Sequence, residues 1–305
     1  MGRFIIGCVV LSFFCLLGIS LAQEGAIKLA DGVYGIKGPG EGINTGFVVS
    51  DRGVFVYSCA LDDYDRRLAE IRKVAGGKPI RYVSNGHYAF DDIGCNHMFA
   101  EQGATIIGTP ALAKELLPYW PERQAEELKR GRIKKEYLVG KKVEMAMPAI
   151  MFNDKLTLDL GGHVVELIYV GRAHTPDNTI AWLPKEKILF VDDLLFVELH
   201  PTADERSDIA NWQRILRNLA GWSPVTVIPG HGVFTAGNGP KPLLEMDRYY
   251  ETMRAKVRAM KEAGKSLDEI KKGIRPELGE FAKWPRERAI PETAAQVYRE
   301  LTAKP

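Results

Sequence analysis

The chain reads as an α/β protein in two halves, with two sheets packed face to face and helices on the outside. Two observations predict this. Strand and helix patterns alternate as strands, helix, strand, helix, strand, and then again as strands, helix, strand and helices. In addition, the apolar runs that read as buried strands end in glycine, histidine and aspartate, where open α/β sheets bind ligands.

In chain order, 26–29 and 33–37 are short strand patterns around the turn Asp31-Gly32. A glycine-rich loop follows, then a strand pair over 45–49 and 53–57 around Ser50-Asp51-Arg52. Helical spacing over 61–74 has an acidic start and a basic end, as the helix dipole favours. Next come a buried strand over 79–83, a helix over 93–102, a strand over 104–108, a helix from 110 to about 117, and a charged surface helix over 122–137. Strands are expected over 149–160, 163–169, 180–183 and 188–191, a helix over 208–219, and a buried strand over 225–228. The remainder, from 243 to 263 and on to 301, is helical, charged and interrupted by prolines.

At 305 residues the chain suffices for one large domain or two ordinary ones. A formal charge of +2 gives no push toward nucleic acid, and no basic arm or aromatic-interleaved basic patch appears. Gly2-Arg3, an apolar run from Phe4 to Leu21 and the small-residue site Ser20-Leu21-Ala22 read as an export signal over 1–22. The expected product is a secreted or periplasmic chain over 23–305, forming one domain with a C-terminal helical extension over about 240–305. An uncleaved anchor is the lesser alternative, since the run approaches the roughly 18-residue limit for a span. Cys8 and Cys15 would leave with the signal. Cys59 and Cys95 remain, either as a disulfide or as buried free thiols.

The chemistry concentrates at strand ends. Ser84-Asn85-Gly86-His87-Tyr88-Ala89-Phe90-Asp91-Asp92 follows one buried strand, and Gly171-Arg172-Ala173-His174-Thr175 follows another. Asp192-Asp193 closes a third and Pro229-Gly230-His231-Gly232 a fourth. Imidazole nitrogen and carboxylate oxygen suit zinc, iron and manganese. Asp91 and Asp92 begin a helix, where aspartate also caps backbone N–H groups; beside the other segments Asp91 reads as a ligand, and Asp92 as either. His97 and His163 read as packing or surface residues, and His200 as a side chain overhanging the site.

These four segments resemble the metallo-β-lactamase superfamily across nearly the whole mature chain. The family's His-x-His-x-Asp-His motif corresponds to 87–92 and its Gly-His-Thr segment to 172–175. Its Gly-Asp before an apolar run corresponds to Asp192-Asp193-Leu194-Leu195-Phe196, and its Pro-Gly-His-Gly segment to 229–232. The stretch 93–99 and the helical C-terminal region resemble the exported, quinoprotein-associated branch. The resemblance implies an αββα sandwich, two mixed sheets flanked by helices. It further implies a divalent metal, zinc by family, held by His87, Asp91, Asp92, His174, Asp193 and His231, with Asp91 orienting or deprotonating the attacking water. The expected function is hydrolysis of an ester, thioester or amide bond of a small molecule. The departures are Ala89 and Asp92 where the family has histidines, Asp192 where it has glycine, and Ser58 where it has aspartate. Loss of two imidazoles makes the pocket harder and more negative, so iron or manganese joins zinc as a candidate. It also keeps open a binding or accessory protein on a decayed catalytic scaffold.

Overall fold

A computed structural model describes residues 25–131, 133, 137 and 144–303. The expected signal, with Cys8 and Cys15, and much of the C-terminal part of the helix expected over 122–137 lie outside the described residues. Among those described, no helix is long and apolar enough to cross a membrane.

The first sheet has seven strands, β1 (Ile27–Ala30), β2 (Val33–Ile36), β3 (Thr45–Ser50), β4 (Gly53–Tyr57), β5 (Ile80–Ser84), β6 (Thr105–Gly108) and β7 (Ile150–Met151), paired in that order. Pairing is antiparallel up to β4 and parallel from β4 onward. The second sheet runs β12 (Thr226–Gly232), β11 (Ile188–Val197), β10 (Asn178–Leu183), β9 (Val164–Gly171) and β8 (Lys155–Asp159). Only its β11–β12 pair is parallel. Both sheets are therefore mixed, as expected.

Side-chain alternation explains the layers. On β4, Phe55 and Tyr57 enter the core between the sheets, while Val54 and Val56 face helices α1 (Tyr64–Ala75), α3 (Asn96–Glu101) and α4 (Pro110–Lys129). On β11, Ile188 and Phe190 enter the same inter-sheet core. Leu189 and Val191 join α5 (Ile209–Gly221), α6 (Lys241–Glu262), α7 (Leu267–Gly273) and α8 (Ile290–Thr302) in the outer core. The C-terminal helical region is thus part of the packing of the second sheet.

Four elements differ from expectation. The run 149–160 is not one strand. Ile150–Met151 pairs with β6 in the first sheet, and Lys155–Asp159 pairs with β9 in the second, so the chain crosses between sheets over 152–154. The helix expected over 93–102 is two short pieces, α2 (Phe90–Ile93) and α3, separated by Gly94-Cys95. α4 runs unbroken past Pro118 and Pro121. Tertiary packing overrides the local breakers there: Tyr119 meets Tyr88 with ring centroids 4.6 Å apart, and Trp120 meets Phe90 at 5.3 Å. Finally, β11 continues through Asp192 and Asp193 to Val197.

Trp212 on α5 joins the outer core to the strand ends. It is fully buried, its Nε1 donates to the Leu194 carbonyl at 2.9 Å, and its ring lies 5.4 Å from His174 and 5.1 Å from Tyr250. Trp212→Ala is expected to destabilise the protein by about 3–5 kcal/mol. Urea unfolding checks this, and a loss well under about 1 kcal/mol would mean that the packing is not carried by this ring.

Candidate metal centre

The strand ends of both sheets meet at one edge of the sandwich. Asp91 and Asp92 lie in the first turn of α2, where Ala89 is the cap residue and no side chain caps the helix. Both carboxylates are therefore free of the capping role. The stretch itself is held by an amide pair, Asn85 with Asn96, and by Asn85 Nδ2 donating to the Asp92 carbonyl at 2.7 Å. Asn44 fixes the end of β12 by donating from Nδ2 to the carbonyls of Pro229 and Gly232, both at 3.0 Å.

Three imidazoles face Asp193. The His231 Nε2 is 3.0 Å from Asp193 Oδ1, the His174 Nε2 is 3.5 Å from Oδ2, and the His87 Nε2 is 3.9 Å from Oδ2. The opposite ring nitrogens are also accounted for. His174 Nδ1 lies 2.9 Å from the Thr202 carbonyl and His231 Nδ1 lies 2.6 Å from the Glu41 carbonyl. A carbonyl can only accept, so each Nδ1 carries hydrogen and each neutral ring presents its Nε2 lone pair. Asp91 sits at the rim with its side chain 48% exposed, 3.9 Å from His231 Nε2.

His87 belongs to a second group. Its Nδ1 is 3.0 Å from Asp92 Oδ2 and 3.6 Å from Asp192 Oδ2, all three side chains being buried. Asp192 Oδ2 also accepts from Ser58 Oγ at 2.9 Å. Asp92 therefore approaches the nitrogen of His87 that faces away from Asp193. Ser58 and Asp192 both have left-handed backbones, φ 54° and 52°, which non-glycine residues seldom adopt.

Two glycines make these approaches feasible. A Cβ on Gly86 would overlap the Asp192 carboxylate, and one on Gly230 would overlap that of Asp193.

The electrostatics follow from the crowding. Burial opposes charge on His87, yet the carboxylates of Asp92, Asp192 and Asp193 raise its pKa well above the ordinary value. His231 is likewise raised, with burial outweighed by Asp193. Burial and neighbouring Asp192 push Asp92 well up. Asp193 goes the other way: despite burial, His231, His87 and His174 hold it far below the carboxylate range. Burial and the charge on His87 lower His174 to about 4.

The residues fit a divalent cation. Both ring nitrogens of His87, both oxygens of Asp92, Asp192 Oδ1, Asp193 Oδ1 and His231 Nε2 are buried without a hydrogen-bond partner. Folded proteins leave few such atoms, and their concentration in one place points to a missing positive ligand. His87, His174 and Asp193 bring donor atoms within 4.8 Å of one another, as do His87, Asp92 and Asp192.

The sequence pattern of the metallo-beta-lactamase superfamily matches residues 38–231, the span that carries all of these side chains. The chain belongs to this superfamily. Among the superfamily's curated members it is similar to metallo-beta-lactamase type 2 of Bacteroides fragilis, 31% identical over 100 residues, 31% of this chain and 39% of that protein. It is also similar to metallo-beta-lactamase IND-1 of Chryseobacterium indologenes, 28% identical over 93 residues, covering 28% of this chain and 38% of the relative. The chain thus matches about two fifths of the length of these relatives. Solved structures share the fold more widely. The sec-alkylsulfatase Pisa1 from Pseudomonas sp. superposes with a TM-score of 0.69 at 14% identity, over 92% of this chain and 50% of its own. A metallo-beta-lactamase from Pontibacter korlensis does so with a TM-score of 0.57 at 17% identity, over 74% and 99%.

Of the predicted site residues, His87, His174, Asp193 and His231 converge, Asp91 borders them, and Asp92 lies behind His87. Asp192, which stands where the family has glycine, is brought by the structure to within 3.6 Å of His87 Nδ1. Ser58, which stands where the family has aspartate, reaches the site through Asp192, whereas Asn44 gave no sequence signal. His200 is buried elsewhere, with Nδ1 3.0 Å from the Tyr249 hydroxyl. His97 is buried, and His163 lies 2.8 Å from Glu186. Cys59 and Cys95 are buried thiols with no disulfide between them, Cys95 Sγ donating to the Cys59 carbonyl at 2.9 Å.

Asp177, beside the His174 segment, offers a pH test. Burial pushes its carboxyl up to about 6, and its Oδ1 accepts from Thr175 Oγ1 at 2.8 Å. The folded chain binds this proton more tightly than the unfolded chain, whose aspartates titrate near 3.9. The group therefore costs stability progressively from about pH 4 to about pH 6, and the cost persists above that window. Asp177→Asn is expected to raise the melting temperature near pH 7, by the equivalent of at most about 3 kcal/mol, and to change little near pH 4. An equal effect at both pH values would refute the raised pKa.

Proposed function

We propose that this chain is an exported hydrolase that holds one divalent cation, zinc first, and cleaves an ester, thioester or amide bond of a small molecule. The observation that carries the reading is the convergence of His87, His174 and His231 on Asp193, each ring turned with Nε2 inward. His87, His174 and Asp193 bring donor atoms within 4.8 Å of one another, a set suited to zinc, with iron and manganese as further candidates, and His231 stands on the other oxygen of Asp193. A divalent cation there supplies the charge that makes water nucleophilic near neutral pH and stabilises an oxyanion. Asp91, half exposed at the rim, is placed to orient the attacking water and take its proton. Asp92 and Asp192 act from behind. Their negative charge, 3.0 and 3.6 Å from His87 Nδ1, favours hydrogen on that nitrogen and leaves Nε2 to face the cation.

The apolar segment over 1–22 supports export to the periplasm or beyond. The likeness to lactamases in sequence and to an alkylsulfatase in fold puts β-lactams and alkyl sulfates beside esters and thioesters on the substrate panel. A second reading is favoured by Ala89, which offers no ligand, and by Asp92, which lies behind His87 and not with Asp91 and His231. With those two imidazoles gone, the chain could be an accessory protein that binds a cation without turnover.

Metal analysis of the purified chain over 23–305 is expected to find about one zinc per chain after chelation and zinc addition. The zinc-loaded protein is expected to hydrolyse at least one class on the panel. Binding of zinc with no hydrolysis selects the accessory reading; neither binding nor hydrolysis under zinc, iron or manganese overturns both. Asp92→Asn is expected to weaken zinc binding by about 10–100-fold in a folded protein. An unchanged zinc affinity would remove Asp92 from its supporting role.

A further inference from the structure

Behind His87 lies a second convergence of donor atoms, separate from the one that faces Asp193. Asp92 Oδ2 is 3.0 Å and Asp192 Oδ2 is 3.6 Å from His87 Nδ1, and the three residues bring ligand atoms within 4.8 Å of one another. The side chains of His87 and Asp92 are fully buried, and that of Asp192 is 2% exposed. Neither approach to Nδ1 makes a hydrogen bond. His87 Nδ1, both oxygens of Asp92 and Asp192 Oδ1 are all buried without a partner. Ser58 Oγ donates to the other oxygen of Asp192. Among the described residues, neither carboxylate pairs with a lysine or an arginine.

Two buried carboxylates need positive charge beside them, because burying an ion is costly unless it is paired. Oxygen and nitrogen ligands sit about 2.0–2.6 Å from a divalent cation, so atoms up to about twice that apart can share one. Two carboxylates to one imidazole is a harder set than the one around Asp193, and it suits manganese better than zinc. The pocket is the work of this chain's own departures. Asp92 and Asp192 stand where imidazole and glycine are expected, the left-handed backbone of Asp192 accompanies its approach to His87, and Gly86 leaves room for its carboxylate. Asp193 and His231 lie on the opposite, Nε2 side of the ring.

We propose that His87, Asp92 and Asp192 form a second cation pocket, for manganese(II), that shares the His87 ring with the zinc centre. A neutral imidazole has one lone pair. When manganese takes it at Nδ1, the ring's hydrogen sits on Nε2, which then faces Asp193 as a donor and is lost to zinc. Occupation of the rear pocket therefore opposes zinc binding in front. This antagonism rests on the zinc reading above; the rear pocket itself does not.

Manganese titration of the chelator-treated chain, followed by electron paramagnetic resonance, tests the pocket. Asp192→Asn, whose amide keeps the shape and tolerates the left-handed backbone, is expected to weaken manganese binding by at least about tenfold, the least that even an indirect partner of a metal contributes. His174→Ala, which touches only the front centre, is expected to leave it unchanged. Manganese that is retained in Asp192→Asn, lost equally in His174→Ala, or not bound by the wild type overturns the proposal. If Asp192→Asn does not fold, the anomalous scattering of manganese in wild-type crystals decides: a peak between Asp92 and Asp192 supports the pocket, and a peak at Asp193 alone overturns it. Saturating manganese is further expected to weaken zinc binding by about tenfold in the wild type and not in Asp192→Asn. Equal zinc affinity with and without manganese in the wild type overturns the sharing of the ring. A chain that binds manganese through Asp192 but takes up no zinc would sink the zinc reading and leave the rear pocket standing.

Discussion

The charge on Asp193 is the constraint to which the strand ends are fitted. It is buried, which opposes ionisation, and it is nevertheless held ionised by three imidazoles from three different segments of the chain. A buried carboxylate without such partners would carry a desolvation cost of several kcal/mol. With them it becomes a focus for positive charge. The Thr202 and Glu41 carbonyls then matter more than their distance from the centre suggests. They set the tautomers of His174 and His231, and a flipped tautomer would present N–H where a lone pair is needed.

β11 distributes this charge. Its consecutive aspartates would lie on opposite faces of a regular strand, and the left-handed backbone at Asp192 together with the shift of pairing against β12 breaks that alternation. Asp192 then reaches His87 from one ring nitrogen and Asp193 from the other. Gly86 and Gly230 leave room for the two carboxylates, one glycine in each sheet's contribution. The site is thus built by irregularity in an otherwise regular strand, supported by the close packing of Phe196 and Trp212 behind it.

Much of the architecture was legible in the sequence because it rests on local pattern. Alternation on β3 and β4, the amphipathic α1 and α5, and the turn at Asp31-Gly32 are short-range features that a window of residues contains. His87, His174, Asp193 and His231 were legible for a related reason: each stands where a buried strand meets glycine or small residues. What was not legible is non-local. The division of 149–160 between two sheets depends on which edge strands are free, and the survival of α4 through two prolines depends on Tyr88 and Phe90. The side of His87 on which Asp92 falls depends on the phase of a four-residue helix.

The bridge between the two ends of the chain has a kinetic consequence. Asn44 bonds carbonyls 185 and 188 residues away, His231 bonds the Glu41 carbonyl 190 residues back, and Arg288 reaches Glu41 across 247. Contacts this distant in sequence are closed late, because loop entropy is lost before they form. The surroundings of His87 and His174 are thus complete only once His231, in the chain's C-terminal third, has been brought to Glu41.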